Sequence, residues 1–415
     1  MINVLRQHVA EYVDRFTPPL RVRGVLAQID LCRTWALGGQ RFECQDCGAS
    51  HAAYHSCGQR HCPLCRGAAR ADWQQRMQAT LLPTAYFQGV FTIPKHLSSL
   101  TLGNRRPMIN LLFHAAGRAF CEMMADERRI EAGPQLILHT WDQRMEPHVH
   151  VHLLHPAGGP SLGGTRWVTC PRIKKGKLRG KLFLVDNRKL SRCFRDKFLQ
   201  GLRRLWRRGE LKLEGEWSRL LDESQWKRFL EPLRTQDWAV YLQPPPSTHA
   251  SAENLLKYLA RYVTGGPISD GRLISHEDGQ VTFWARDKSK TGNRVPVRLS
   301  GAEFVRRWSL HILPSGLHRV RYYGSLHPSK REAYQARCRR LLGEPPAGEE
   351  CKDESNEPGE DPPSEMAMIQ RQIQQGICPD CGGPLDVTWS RIERPSWADV
   401  LNSPSAPAWY LGNRL

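Results

Sequence analysis

Pro147-His-Val-His-Val-His-Leu-Leu-His155 decides the reading of this 415-residue chain. Successive side chains of an extended backbone point to opposite sides, so His148, His150 and His152 share one face of a strand and Val149, Val151 and Leu153 the other. The apolar face can anchor in a core while two imidazoles at i and i+2 converge on one divalent ion. A solvent-facing histidine row with ordinary hydrogen bonds is the competing reading. His155 falls off the alternating phase and has a weaker claim. Upstream, 87–93 reads as a strand ending at Pro94, since the residue before proline avoids helical geometry. Residues 108–129 are helix-like, with Leu111, Leu112, Ala115, Ala119, Phe120 and Met123 on one apolar face. Residues 135–141 form another strand, on which His139 is a support residue at most. Strand, helix, strand, strand implies a sheet with helices packed against it.

A second constellation is Glu253-Asn-Leu-Leu-Lys-Tyr-Leu-Ala-Arg-Tyr262, helical up to Gly265-Gly266. Tyr258 and Tyr262 are four residues apart, which puts both phenols on one helix face. Paired tyrosines are often only packing residues, but a phenolate can attack phosphorus and a metal can polarise the phosphate.

Cys44-x2-Cys47 is followed after 14 residues by Cys62-x2-Cys65, a spacing suited to two knuckles around one structural zinc. Cys32, His51, His55, Cys57 and His61 crowd the same region. A second metal or an alternative ligand stays open, while support of the fold or contact with DNA is the preferred reading. Arg60, Arg66, Arg70 and Arg76 surround this module with positive charge. Near the C-terminus Cys378-Pro-Asp-Cys381 resembles half a zinc ribbon without a second pair, with Cys351 its nearest upstream cysteine.

Sixty Lys+Arg against 41 Asp+Glu give a formal charge of +19, which makes a polyanionic partner the first hypothesis. Residues 344–365 hold nine acids, one base and five prolines and read as a solvated linker. Residues 172–208 hold 15 Lys/Arg and two acids, a density that favours phosphate binding. Within it 190–206 predicts a basic amphipathic helix burying Phe194, Phe198, Leu202 and Leu205, with Arg203, Arg204, Arg207 and Arg208 assigned to DNA. Residues 281–285 and 294–299 predict a hairpin around Lys288 and Lys290, also assigned to DNA, with Trp284 expected in the core and base stacking its alternative. No apolar run approaches the length of a membrane span, and the N-terminus lacks a signal-like segment.

Taken in order, these motifs strongly resemble the two-tyrosine HUH-class rolling-circle insertion-sequence transposases. The matching features are Cys44-x2-Cys47 through Cys62-x2-Cys65, Phe91-Thr-Ile-Pro94, His139-Thr-Trp141, Pro147-His-Val-His-Val-His152, Tyr258-Leu-Ala-Arg-Tyr262, Phe304-Val-Arg-Arg-Trp and Leu313-Pro-Ser-Gly-Leu-His-Arg-Val-Arg-Tyr-Tyr-Gly324. The resemblance implies an α+β fold: an HUH endonuclease-like antiparallel sheet with packed helices, plus a small N-terminal zinc-binding domain. It implies metal ligation by His150 and His152, with His148 a rival or additional ligand, and nucleophilic roles for Tyr258 and Tyr262. A third ligand is implied but not placed, with Glu253 and Asn254 as candidates. The implied cofactors are Mg²⁺ or Mn²⁺ at the catalytic site and structural Zn²⁺.

The implied partners are single-stranded DNA, mobile-element ends and host replication machinery, in the cytoplasm and on DNA. The expected domains are 1–80 (helical and zinc-binding), 81–330 (catalytic, with a basic insert), 331–370 (acidic linker) and 371–415 (a small appendage). Two other functions fit parts of the pattern: a non-catalytic zinc-dependent DNA-binding regulator or adaptor, and an HUH relaxase or replication initiator.

Overall fold

The computed structural model describes residues 1–66, 73, 75, 77, 80–176, 179–245, 266–287, 293–343, 369, 372–373 and 375–411. The principal elements in chain order are α1 (Ile2–Phe16), α2 (Leu20–Asp30), β1 (Gly39–Cys44), β2 (Ser50–Tyr54), β3 (Tyr86–Thr92), α3 (Arg105–Met123), β4 (Gln135–Trp141), β5 (Pro147–Pro156) and α4 (Asn187–Arg207). They continue with α5 (Glu223–Thr235), β6 (Val240–Gln243), β7 (Leu273–Glu277), β8 (Gln280–Arg286), β9 (Arg294–Ser300), α6 (Gly301–Ser309), β10 (Val320–Tyr322) and β11 (Leu385–Arg391). The class is α+β, with antiparallel sheets and packed helices, as the resemblance implies.

Two compact units are present, and neither is a single run of chain. One comprises residues 1–69, 269–312 and 350–415, the other 70–268 and 313–349. The linear division expected from composition groups these segments differently. The segment read as a C-terminal appendage clusters with the N-terminal module, and 269–312 leaves the expected catalytic block to join them.

The second unit is built on a five-stranded antiparallel sheet in the order β10-β4-β5-β3-β6. Alternation sorts its two faces. Leu136 and Leu138 on β4 stand opposite Leu153 and Val151 on β5. All four join Phe87 and Phe91 of β3 in the main core, with Leu112, Phe113, Ala116 and Phe120 of α3 and Phe194, Phe198 and Leu202 of α4. α4 starts at Asp186, whose carboxylate accepts from the Arg188 and Lys189 N–H groups at 2.9 Å and 2.9 Å. Gly201 lets α3 and α4 approach closely, because a Cβ there would lie 2.2 Å from Leu111 Cδ1. The helix expected over 108–129 differs at its end. The α-helix stops at Met123, widens into a π turn over Met124–Arg128 that leaves Met124 fully buried, and ends at Arg129 with φ 56°.

His155 is a core residue. It is fully buried, packs its ring 5.0 Å from that of Phe120, and has Nδ1 2.7 Å from the Pro156 carbonyl. Burial pushes its pKa down to about 4 from an ordinary 6.5. Above pH 6.5 both folded and unfolded chains hold it neutral, and no stability depends on it. As pH falls below 6.5 the unfolded chain takes up a proton that the folded chain refuses, so stability is lost. Chemical denaturation of wild type and His155→Phe at pH 7 and pH 5 is expected to show the variant losing about 2 kcal/mol less between the two conditions. Equal pH dependence in the two proteins would mean that His155 charges freely in the fold.

In the first unit α1 packs on α6, and the Tyr12 and Ser309 hydroxyls lie 2.7 Å apart. β8 pairs antiparallel with β9, as the predicted hairpin requires, with Val281 opposite Leu299 and Ala285 opposite Val295, and β7 lies on the far side of β8. Val281, Phe283 and Ala285 are buried. Trp284 therefore lies on the outer face and is 37% exposed, which corrects its expected place in the core. A third sheet, ordered β11-β1-β2, joins the C-terminal segment to the N-terminal module. No described helix is long and apolar enough to cross a membrane.

Candidate metal centres and basic surface

The tight turn between β4 and β5 is set by Asp142, whose carboxylate accepts from the Arg144 and Glu146 N–H groups at 2.8 Å and 2.9 Å. The turn sets a register in which His139 stands directly opposite His150, and Ile137 opposite His152. Cross-strand partners share a face, so three imidazoles meet on the side of the sheet away from the main core. One ring nitrogen from each of His139, His150 and His152 lies within 4.8 Å of the other two. The two Nε2 atoms of His150 and His152 are 3.2 Å apart.

His150 Nδ1 lies 2.9 Å from the His148 carbonyl and donates to it, which fixes the tautomer with the Nε2 lone pair facing the cluster. Burial, reinforced by the neighbouring His152 and His148, pushes His150 down to about 3, and burial takes His152 down to about 4. Both are neutral near pH 7, the form that ligates metal. His139 is buried and stacks on Trp141 with centroids 4.8 Å apart. His148 is exposed and outside the cluster. Three convergent neutral imidazoles fit a divalent cation. Sequence reasoning gave His139 only a supporting place, because it lies eleven residues from His150 and only strand register brings the two together.

The cysteines depart from the single-site expectation. Cys44 and Cys47 do not meet Cys62 and Cys65. They join Cys378 and Cys381 in one cluster, while Cys62 and Cys65 join Cys32 and Cys57 in another. Sulfur separations are 3.4 Å for Cys44–Cys381, 3.8 Å for Cys47–Cys378, 3.7 Å for Cys32–Cys65 and 3.6 Å for Cys57–Cys65. A disulfide needs about 2.0 Å, whereas four thiolates about 2.3 Å from a tetrahedral ion lie roughly 3.8 Å apart. The spacing is therefore that of structural zinc.

Crowding splits the thiols, with contact to Cys32 leading the effects that raise Cys57 and Cys62 while other members of the clusters are lowered. Thiols of Cys32, Cys57 and Cys62 surround Cys65 and hold it far below the usual thiol range, and the Cys47 N–H leads the effects that lower Cys44 to about 7. The first cluster is built from matching knuckles, Cys44-Gln-Asp-Cys47-Gly48 and Cys378-Pro-Asp-Cys381-Gly382, with φ of 70° and 79° at the glycines. Those two pentapeptides were the signal available in the sequence. β1 and β11 pair immediately beside them, which carries the two halves together. His51 adds an imidazole 3.4 Å from Cys378 Sγ.

On α4, Arg203 is half-buried, and Arg204, Arg207 and Arg208 are exposed. Arg208 pairs with Glu210 at 3.7 Å. Arg204 and Arg207 form no ion pair among the described residues. Replacing all four with Gln is expected to flatten the slope of log affinity against log salt for single-stranded DNA. The change is at least about 1.4 from these two and up to about 2.8 in all. An unchanged slope would place this helix away from DNA. Tyr258, Tyr262, Glu253, Asn254, Lys288 and Lys290 lie outside the described residues.

A histidine row on an antiparallel sheet, joined in one chain to four-cysteine clusters, defines the HUH class of DNA-processing proteins with a zinc-binding module. The family described as "Putative transposase" matches residues 133–333, and the one described as "Transposase zinc-binding domain" matches residues 4–93. The chain is 39% identical over 323 residues to "Putative transposase y4qJ" of Sinorhizobium fredii, covering 77% of this chain and 78% of that one. It is 28% identical over 298 residues to "Transposase for insertion sequence element IS801" of Pseudomonas savastanoi pv. phaseolicola, covering 71% and 68%. No solved structure matches it. The chain belongs to the HUH transposases of the IS91 family, with an N-terminal zinc-binding domain.

Proposed function

We propose that this transposase nicks and rejoins single-stranded DNA at mobile-element ends through 5′-phosphotyrosyl intermediates, supporting rolling-circle transposition. The supporting observation is the convergence of His139, His150 and His152 on one sheet face. In this reading His150 and His152 hold a divalent ion and His139 is the third ligand, in preference to Glu253 or Asn254. A bound ion supplies Lewis-acid withdrawal of charge from the scissile phosphate. An all-nitrogen donor set suits Mn²⁺ better than Mg²⁺, which prefers oxygen.

The chain's own groups do the rest. The His148 carbonyl fixes the His150 ring, and the β4–β5 pairing holds His139 against it, so the cluster is organised before substrate arrives. The phenol oxygen of Tyr258 or Tyr262 attacks phosphorus in line and loses its proton. The bond to the 3′-oxygen breaks, and that oxygen leaves as a protonated 3′-OH. A 3′-OH attacking the phosphotyrosine reverses the step, so joining requires no ATP. The second tyrosine serves a second cut while the first link persists, and host replication supplies the complementary strand. The cysteine clusters and the α4 arginines serve end recognition and phosphate attraction.

The test combines purified protein, single-stranded candidate ends and Mn²⁺, followed by denaturing electrophoresis. A covalent DNA–protein species is expected. The His150→Ala, His152→Ala double variant is expected to cleave on the order of 10²–10³-fold more slowly while still binding DNA, since the metal contribution amounts to several kcal/mol. Normal metal affinity together with normal cleavage in that variant would overturn the assignment.

A further inference from the structure

We infer that the outer face of the β7–β8–β9 sheet is a single-stranded DNA platform on which Trp284 stacks an unpaired base while Arg286, Arg294 and Arg298 hold the flanking phosphates. This rests on the single-strand reading proposed above and assigns to it residues of the first unit that the histidine cluster does not include. Alternation places Thr282, Trp284 and Arg286 of β8 outward, beside Arg294, Pro296 and Arg298 of β9. The register sets Thr282 opposite Arg298, Trp284 opposite Pro296 and Arg286 opposite Arg294. Trp284 thus has three exposed arginines as its same-face neighbours, Arg286 two residues along β8 and Arg294 and Arg298 diagonally across on β9.

Two features of this face have no rationale in folding. Arg286 and Arg294 are like charges directly opposite each other, an arrangement that destabilises a sheet. Neither they nor Arg298 forms an ion pair among the described residues. A tryptophan 37% exposed beside them keeps a large aromatic surface in water. A polyanion with planar bases removes both costs, by neutralising the arginines and covering the ring.

The edge itself argues against a protein strand as the occupant. β9 is one of the two edge strands, and Pro296 within it has no N–H to donate to an added strand. Glu277, the acid on the neighbouring strand, stands opposite Gln280, about 13 Å along the strand from Trp284.

The experiment uses the full-length protein and a fluorescent oligothymidine lacking any element sequence, with binding followed by anisotropy across a salt series. Trp284→Ala is expected to weaken binding about 5- to 150-fold with the salt slope unchanged, whereas Trp284→Phe stays within a few-fold of wild type. Arg286→Gln, Arg294→Gln and Arg298→Gln together are expected to flatten the slope by about 2. Duplex DNA of the same length should be insensitive to Trp284→Ala, because its bases are already stacked. Parental affinity in Trp284→Ala together with a parental slope in the triple variant overturns the inference, as does equal weakening on duplex. Thermal melting of each variant separates these outcomes from misfolding. The inference and the cleavage mechanism fail separately: Trp284→Ala at saturating DNA should still form the covalent adduct, and a protein that forms no adduct can still show Trp284-dependent binding.

Discussion

Replacing Tyr258 and Tyr262 together with Phe is expected to abolish the covalent DNA adduct, with cleavage falling by at least about 10³-fold, while single-stranded DNA is still bound. Only two phenolic oxygens are removed and both rings are kept, so loss of chemistry is separated from loss of structure. Each single variant is expected to retain one cut but to disrupt the paired cutting and strand-transfer cycle. Peptide mass analysis of the wild-type adduct identifies the residue that carries it. Unchanged metal-dependent cleavage in the double variant, with no adduct at either position in wild type, would defeat the mechanism even if DNA and zinc were still bound.

The second large effect concerns metal content. Wild-type protein is expected to carry two zinc equivalents. Cys378→Ser with Cys381→Ser should lose one of them and free the knuckle at Cys44 and Cys47 from its partner, because ligands of both halves share one site. Structural zinc contributes about 10–16 kcal/mol of apparent binding free energy in isolated modules, so the β11-β1-β2 sheet should open as well. Cys44→Ser should remove the same equivalent, Cys62→Ser the other, and the two together both. If Cys44→Ser plus Cys62→Ser released a single equivalent, the four cysteines would share one site as the local spacing suggested, and the two-cluster arrangement would be wrong.

Much of the fold and of the candidate site can be read without coordinates, because the signals are local. The alternation of 147–153 specifies a strand with one apolar and one imidazole face, and the sheet buries Val149, Val151 and Leu153 accordingly. The α4 stripe of Phe194, Phe198 and Leu202 is equally legible from 3.6-residue periodicity, and all three side chains are buried. Period alone does not say which strand face meets a core, and Trp284, expected inside, lies on the outer face.

What tertiary structure decided are the meetings between distant segments. His139 becomes a partner of His150 through the register set at the Asp142 turn, and a one-residue slip would have turned it to the other face. The cysteine assignment is the larger case. Each knuckle announces itself in the sequence, but a thiolate has no preference among equivalent thiolates. The ion takes whichever pair the fold delivers. Pairing of β1 with β11 brings Cys378 and Cys381 to Cys44 and Cys47 across more than 300 residues, and leaves Cys62 and Cys65 to Cys32 and Cys57.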